Sequence, residues 1–458
     1  SPRLKREFAP RRIWVNAYAN DVPCYIPSER VLREGGYEGE SSMVYYDRPN
    51  KFQPGLEEKI VAAVHQTIPK AFAHPKLKAE MTPPTPAADS AALIHTKPGF
   101  HVELVASEPL IVDPVAIDFG VDGRLWVVEM HDYPSGLDGN WKPGGRVKYL
   151  NDLDGDGHYD RSTLFLDGLP FPTDVMAWRK GALVCAAPDI LYAEDTDADG
   201  LADKVEKLYS GFITDNYQAR VNGISWGLDN WVYGANGLRG GVITSRANGK
   251  KVDLRSKDFR LKPDLGLFET ASGYTQQGRA RDDWGNWFGC NNSSSLFQFP
   301  LPEHYASRNP HVALPADRYY VPADKEPERI YPVSELLQRF NRPEHANRIT
   351  GGCGATIYRD KLLGANYHGD AFICAPVHNL VRRLELHPDG PIFHGRRAPD
   401  EQRSEFLASA DNWFRPVQAM TGPDGALWVV DMYRFVIEHP RWIPEERLAR
   451  LDPRAGSD

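Results

Sequence analysis

The stretch that decides the fold is Arg220-Val-Asn-Gly-Ile-Ser-Trp-Gly-Leu-Asp-Asn-Trp-Val-Tyr-Gly-Ala-Asn-Gly237. It predicts a strand over 223–227, a two-residue Asp229-Asn230 turn where positive φ is tolerated, and a second strand over 231–234, which together make a hairpin. The same turn and aromatic-rich strand return at Asp122-Gly123-Arg124-Leu125-Trp126 and at Asp424-Gly425-Ala426-Leu427-Trp428. Looser copies begin at Lys180-Gly181, Asp283-Trp284 and Gly369-Asp370. The six strands centre near residues 126, 183, 232, 288, 373 and 429, mostly about 50 to 57 residues apart, with one long gap that can hold an inserted loop. Units of this size, each needing neighbours to bury its faces, predict an all-β, six-bladed β-propeller.

Composition agrees with a globular chain. Of 458 residues, 25% are charged and 41% hydrophobic, and the net charge of -8 leaves no basic footprint for nucleic acid. No apolar run approaches the roughly 18 residues a membrane helix needs. The five cysteines form no Cys-x-x-Cys and read as small buried hydrophobes; without Cys-x-x-Cys-His, no c-type haem attaches within this chain. The chain opens Ser1-Pro2-Arg3-Leu4, with neither an initiating Met nor a signal-peptide pattern, as a piece of a longer protein would.

Residues 1–75 lack the repeat and predict a small α/β fragment: a strand over 13–18, a helical turn over 28–34 and an amphipathic helix over 54–68. Residues 76–96 are rich in proline and small polar residues and predict a linker. The propeller then spans 97–458. Its entering strand is expected over 97–106, completing the last blade and closing the ring, while an end at 451–453 leaves room for an incomplete final blade.

Two loops share the pattern Asp-x-Asp-x-Asp-Gly-x-x-Asp. They are Asp152, Asp154, Asp156 and Asp160, and Asp195, Asp197, Asp199 and Asp203. Carboxylates at these places wrap a hard cation, and the glycine allows the sharp turn, so both predict a structural calcium loop. The twelfth place holds Thr163 in the first and Glu206 in the second, so the first should bind more weakly. The alternative is a solvated Asp/Gly turn.

Polar residues flank the repeated strands: Glu129, His131 and Asp132; Arg220 and Asn222; Asn291 and Asn292; His378, Asn379 and Arg382; Arg415; and Asp431, Tyr433 and Arg434. At blade ends they would converge on one channel mouth able to hold a polyanionic cofactor or a sugar.

Two resemblances follow. The words Asn16-Ala17-Tyr18-Ala19-Asn20-Asp21, Tyr25-Ile26-Pro27-Ser28 and Gly35-Gly36-Tyr37-Glu38-Gly39 resemble the end of the catalytic domain of neutral ceramidases. That resemblance implies a zinc-ligand role for Tyr25, but a zinc site needs about four ligands and the others would lie upstream. An amidohydrolase remnant, inactive in this chain and binding zinc only with the missing part, is therefore expected.

Residues 97–445 resemble the propeller of a bacterial family of membrane-bound dehydrogenases. The carrying words are His131-Asp132-Tyr133-Pro134, Gly144-Gly145-Arg146-Val147, Asp189-Ile190-Leu191-Tyr192, Arg220-Val221-Asn222-Gly223, Phe414-Arg415-Pro416-Val417-Gln418 and Asp431-Met432-Tyr433-Arg434. That family is similar in turn to soluble quinoprotein sugar dehydrogenases. The resemblance implies pyrroloquinoline quinone held by Arg220, Asn222, Arg359 and Arg415, an extracytoplasmic location, and a haem c electron acceptor outside this chain. Where those enzymes carry an Asp-His pair, this chain has Thr173-Asp174-Val175, so Asp174 or His131 would take the substrate proton. The expected function is oxidation of a sugar or other alcohol. The alternative is a non-catalytic propeller that binds glycans or a partner protein.

Overall fold

The computed structural model describes residues 24–67 apart from 38 and 49, together with 81–309, 311, 317–335, 347–448 and 451–457. The chain divides into two compact units, Ser1–Glu80 and Met81–Asp458. In the first, Ser28 caps helix α1 (Glu29–Glu34) by accepting from the Val31 amide, and helix α2 (Leu56–Thr67) follows. Glu57 accepts from the Glu29 amide at 2.8 Å, which ties one helix start to the other. The described part of this unit is helical; the strand expected over 13–18 lies outside the described residues.

The second unit is a β-propeller. Strand β1 (Ile94–Thr96) comes first, after helix α3 (Ala87–Ala92). The first sheet is β2 (Pro114–Phe119), β3 (Leu125–Glu129), β4 (Gly145–Asn151) and β5 (Arg161–Leu169). The second is β6 (Asp174–Trp178), β7 (Gly181–Ala186), β8 (Asp189–Glu194) and β9 (Lys204–Phe212). The third begins with β10 (Asn222–Trp226) and β11 (Val232–Ala235). The chain then detours through β12 (Gly241–Ser245) and β13 (Lys251–Asp253), which add to the outer edge of the second sheet. It returns as β14 (Asp258–Lys262) and β15 (Leu267–Ala271). The fourth sheet is β16 (Arg279–Arg281), β17 (Trp287–Asn291), β18 (Ser294–Gln298) and β19 (Tyr319–Tyr320). The fifth holds β20 (Cys353–Ile357), β21 (Ala371–Ala375), β22 (Leu380–Asp389) and β24 (Leu407–Ser409), with β23 (Ile392–Arg396) folded back on β22. Last come β25 (Pro416–Thr421) and β26 (Leu427–Asp431), which among the described residues pair only with each other.

The expected count of six blades is therefore corrected to five, plus a sixth sector that is a two-stranded hairpin. The six first strands still form a ring: β2 lies beside β6, β6 beside β10, β10 beside β16, β16 beside β20, β20 beside β25, and β25 beside β2. Side chains stitch neighbours together by accepting backbone amides across the gap. Gln418 takes the Ile117 amide (2.7 Å), Asp118 the Ala177 amide (2.8 Å), Asp174 the Ile224 amide (2.7 Å) and Asn222 the Gly278 amide (2.8 Å). Each interface between sheets holds its own apolar cluster, such as Trp126, Val128, Val184 and Leu191 between the first and second. All five cysteines are free and buried.

The entering strand is also corrected. No strand forms over 97–106; three residues earlier, β1 pairs antiparallel with β24 on the fifth sheet rather than completing the last one. Residues 87–96, expected as linker, are thus helix α3 and strand β1.

Candidate functional site at one end of the ring

The first strands run through the ring in one sense, so what precedes each strand gathers at one end. Asp113, Asp174, Arg220 with Asn222, and Arg415 stand there. Loops returning from the second strands add His131 and Asp132, Asn379, and Tyr433 with Arg434. These residues thus stand at the same end of their strands. Arg382 instead lies inside β22, with its Nη1 3.4 Å from Glu328. Arg359 follows the far end of β20 and pairs there with Asp283 at 2.5 Å, so it is at the opposite end from the other three residues expected to hold a quinone.

The cations at the mouth are buried, and two of them, Arg220 and Arg415, are bonded to neutral carbonyls. Arg220 donates to the carbonyls of Pro170 (3.3 Å) and Thr214 (3.0 Å), and its guanidinium lies over the rings of Tyr217 and Phe171. Arg415 donates to the carbonyls of Arg434 (2.7 Å), Pro376 (2.9 Å) and Phe435. Asn222 is bonded through its amide to the carbonyls of Arg220 and Gln276. Arg434 forms a fully buried pair with Asp113 at 2.6 Å, and Ser457 bonds to both partners.

Acid–base groups lie among them. His131 is 7% exposed, with Nε2 3.4 Å from Glu129 and Nδ1 4.0 Å from Asp113. Burial alone would push the Glu129 carboxyl up, but His131 and Lys148, the latter at 2.8 Å, hold it below the usual carboxylate value. Burial pushes Asp132 up to about 6 against two backbone amides, those of Phe171 and Gly144. Asp174 is pushed up to about 7 for the same reason, and its oxygens accept the Ile224 and Val175 amides. His131 and Asp174 thus share an end of the ring, with Asp174 also bracing two strands.

The sequence reading missed an aromatic platform. Trp141, Tyr217 and His439 lie nearly parallel, with Trp141 and Tyr217 4.5 Å apart at 5°. Trp141 is 44% exposed and has φ of +69°, an uncommon conformation for a bulky residue. The available signal was a lone tryptophan in a Gly/Asp/Asn turn, Asp138-Gly139-Asn140-Trp141.

Both acidic loops lie between the third and fourth strands of their sheets, away from the mouth. Carboxylate oxygens of Asp152, Asp154 and Asp156 come within 4.8 Å of one another, as do those of Asp195, Asp197 and Asp203. Asp160 and Asp199 instead accept the Leu153 and Leu201 amides. In the N-terminal unit, the Tyr25 ring packs edge-on against Tyr37 and Tyr46, each 5.9 Å away.

Several solved structures are similar. The quinone-binding domain of pyranose dehydrogenase from Coprinopsis cinerea aligns at TM-score 0.44 and 13% identity, over 74% of this chain and 94% of that one. A quinone-bound aldose sugar dehydrogenase from Streptomyces coelicolor gives 0.41 and 13%, over 74% and 92%. A virginiamycin B lyase from Staphylococcus aureus gives 0.37 and 11%, over 71% and 80%. No curated protein matches. The model of a family described as a domain of unknown function, DUF7133, matches residues 86–458, and the chain belongs to that family.

Proposed function

We propose that this member of the DUF7133 family is a quinoprotein-like oxidoreductase that takes a sugar or other alcohol at the mouth of the ring. The observation that carries the reading is the buried His131–Glu129 pair on the same loop as Trp141. A hydroxylated ring stacks on an aromatic face, and oxidation of its alcohol needs a nearby base for the hydroxyl proton. His131 would receive that proton and Glu129 would steady the resulting imidazolium.

The electron acceptor this reading requires, pyrroloquinoline quinone, meets few free donors at the mouth. The quinone carries three carboxylates; the Arg220 Nε is buried without a hydrogen-bond partner and could meet one, whereas the Nη atoms of Arg220 and the donors of Asn222 and Arg415 are engaged with backbone carbonyls and Arg359 lies at the other end. No step is assigned to it. That same engagement favours a second reading, a non-catalytic mouth that binds a glycan or a partner protein. An extracytoplasmic location and an external haem c acceptor belong to the first reading.

The test is to supply the purified chain with pyrroloquinoline quinone and calcium and to follow dye reduction over a panel of sugars. Turnover abolished by His131→Ala supports oxidation. Sugar-dependent fluorescence change that is lost in Trp141→Ala, without turnover, supports the second reading. Neither turnover nor binding would sink both.

We propose further that the two Asp loops hold structural calcium. About 2 to 3 kcal/mol of stabilisation is expected from each loop at a hundredfold excess over Kd, lost from its own loop in Asp154→Ala and in Asp197→Ala. An unchanged unfolding midpoint would contradict this. Residues 1–75 are proposed as an inactive ceramidase-like remnant, and stoichiometric zinc in the purified chain would contradict that.

A further inference from the structure

The finishing ends of the first strands carry a second polar and aromatic surface. Trp178 and Trp226, which close β6 and β10, stack with centroids 5.0 Å apart at 22°. The Trp226 carbonyl accepts from Arg281 Nε at 2.7 Å, at the end of β16. The turn that follows winds around the Asp282 carboxylate, which accepts from the Trp284 and Asn286 amides and the Asn286 side chain. This winding turns Asp283 and Trp284 outward. Asp283 is shared by Arg359 Nε and by His368 Nε2 at 3.3 Å, and the His368 ring stands edge-on to Trp284. Leu228 lies under the same turn, since a Cβ added to Gly285 would sit 3.3 Å from its Cδ1. The tips of the third and fourth sheets are therefore in contact and the surface is continuous.

Trp226 is 44% exposed and Trp284 74%. Single exposed apolar residues need no explanation, but large rings gathered on one surface and ringed by polar groups mark a binding site. Polar groups stand beside both rings: the Arg281 guanidinium at Trp226, and Asp283, Arg359 and His368 at Trp284. A sugar hydroxyl is both donor and acceptor, and the flat apolar face of a sugar ring matches an indole. A protein partner would more usually meet a core depleted of charge.

We propose that this end of the ring is a glycan-binding surface, with a polysaccharide chain laid across Trp226 and Trp284 and its hydroxyls bonded to Arg359, Asp283 and Arg281. It lies at the opposite end of the ring from the mouth, and does not depend on what the mouth does.

Native gel electrophoresis through hydroxyethylcellulose, xylan or galactomannan tests it. At least one polysaccharide should retard the chain. Trp284→Ala and Arg359→Gln should each weaken that retardation about tenfold in Kd, a loss of about 1.4 kcal/mol, with Val242→Ala, an exposed position on the outer edge of the second sheet, unaffected. Both test positions are exposed, so the variants should fold, and an unchanged unfolding midpoint checks this. Retardation by none of the three would overturn the proposal. So would retardation that is not weakened in the Trp226→Ala/Trp284→Ala double variant.

Discussion

Five sectors of the ring are full sheets and the sixth is a hairpin, yet all six occupy equal places in the inner circle. A full blade covers its edges with its own outer strands. Among the described residues the β25–β26 hairpin has none, and other parts of the chain take over that work. Ala106, Leu110 and Ile111, in the extended segment leading to the first sheet, pack in one cluster with Met420, Trp428 and Val430. Upstream, Ser90 bonds to Asp411, Tyr433 bonds to Thr85, and the Trp413 indole donates to the Thr82 carbonyl. Two arginines complete the substitution: Arg415 collects carbonyls on both sides, and Arg434 reaches Asp113 at the edge of the first sheet. The comparison teaches that a sector's place in the ring is secured by its inner strand, and that polar braces can do the work of outer strands.

The largest effect should come from Arg434. Arg434→Met leaves the Asp113 carboxylate buried without its ion-pair partner, and breaking such a pair costs about 3 to 5 kcal/mol. Denaturant unfolding should show that loss, while Arg359→Met, in an exposed pair, should cost no more than about 1 kcal/mol. Equal losses would mean that the sixth sector is not braced as described.

A pH effect should come next. Burial pushes Asp431 in the hairpin, like Asp174 in the second sheet, up to about 7, above the ordinary value near 4 that it has when unfolded. The folded state then holds a proton that the unfolded state releases, so stability should fall as pH rises from about 4 to about 7. Asp431→Asn should flatten that slope, measured as the denaturation midpoint against pH. A slope unchanged in the variant would show that Asp431 does not carry it.

The smallest effect should come from Gln418→Ala, which removes one acceptor and leaves the Ile117 amide unpaired. About 1 to 3 kcal/mol is expected, towards the low end if water reaches the seam, and thermal unfolding would report it.

Much of the ring was legible because a hairpin with a tight turn is a local signal. The six repeated strands fall in β3, β7, β11, β17, β21 and β26, the second strand of every sector. The end at 451–453 left room for an incomplete final blade, but that both outer strands of the sixth sector would be missing was not legible, because nothing local marks a strand that is absent. Nor was β1, three residues long and paired with residues more than 300 positions away. At the site, sequence placed Arg220, Asn222, Arg415 and His131 at one end, since each borders a repeated strand at its start or return. Arg359 borders a first strand too, but at its finish, and position along a strand decides which mouth a residue faces. That the arginines bind backbone carbonyls depends on loops folded from elsewhere, which no motif encodes.

The account depends on closure of the ring across the β25–β2 seam. Amide hydrogen exchange reads it directly at Ile117, whose amide crosses that seam to Gln418, against Ile224, whose amide crosses between two full blades to Asp174. A closed ring predicts that the two amides are protected to within about tenfold of each other and are released together in global unfolding. Exchange at Ile117 on the timescale of an open loop, with Ile224 still protected, would show a ring that does not close.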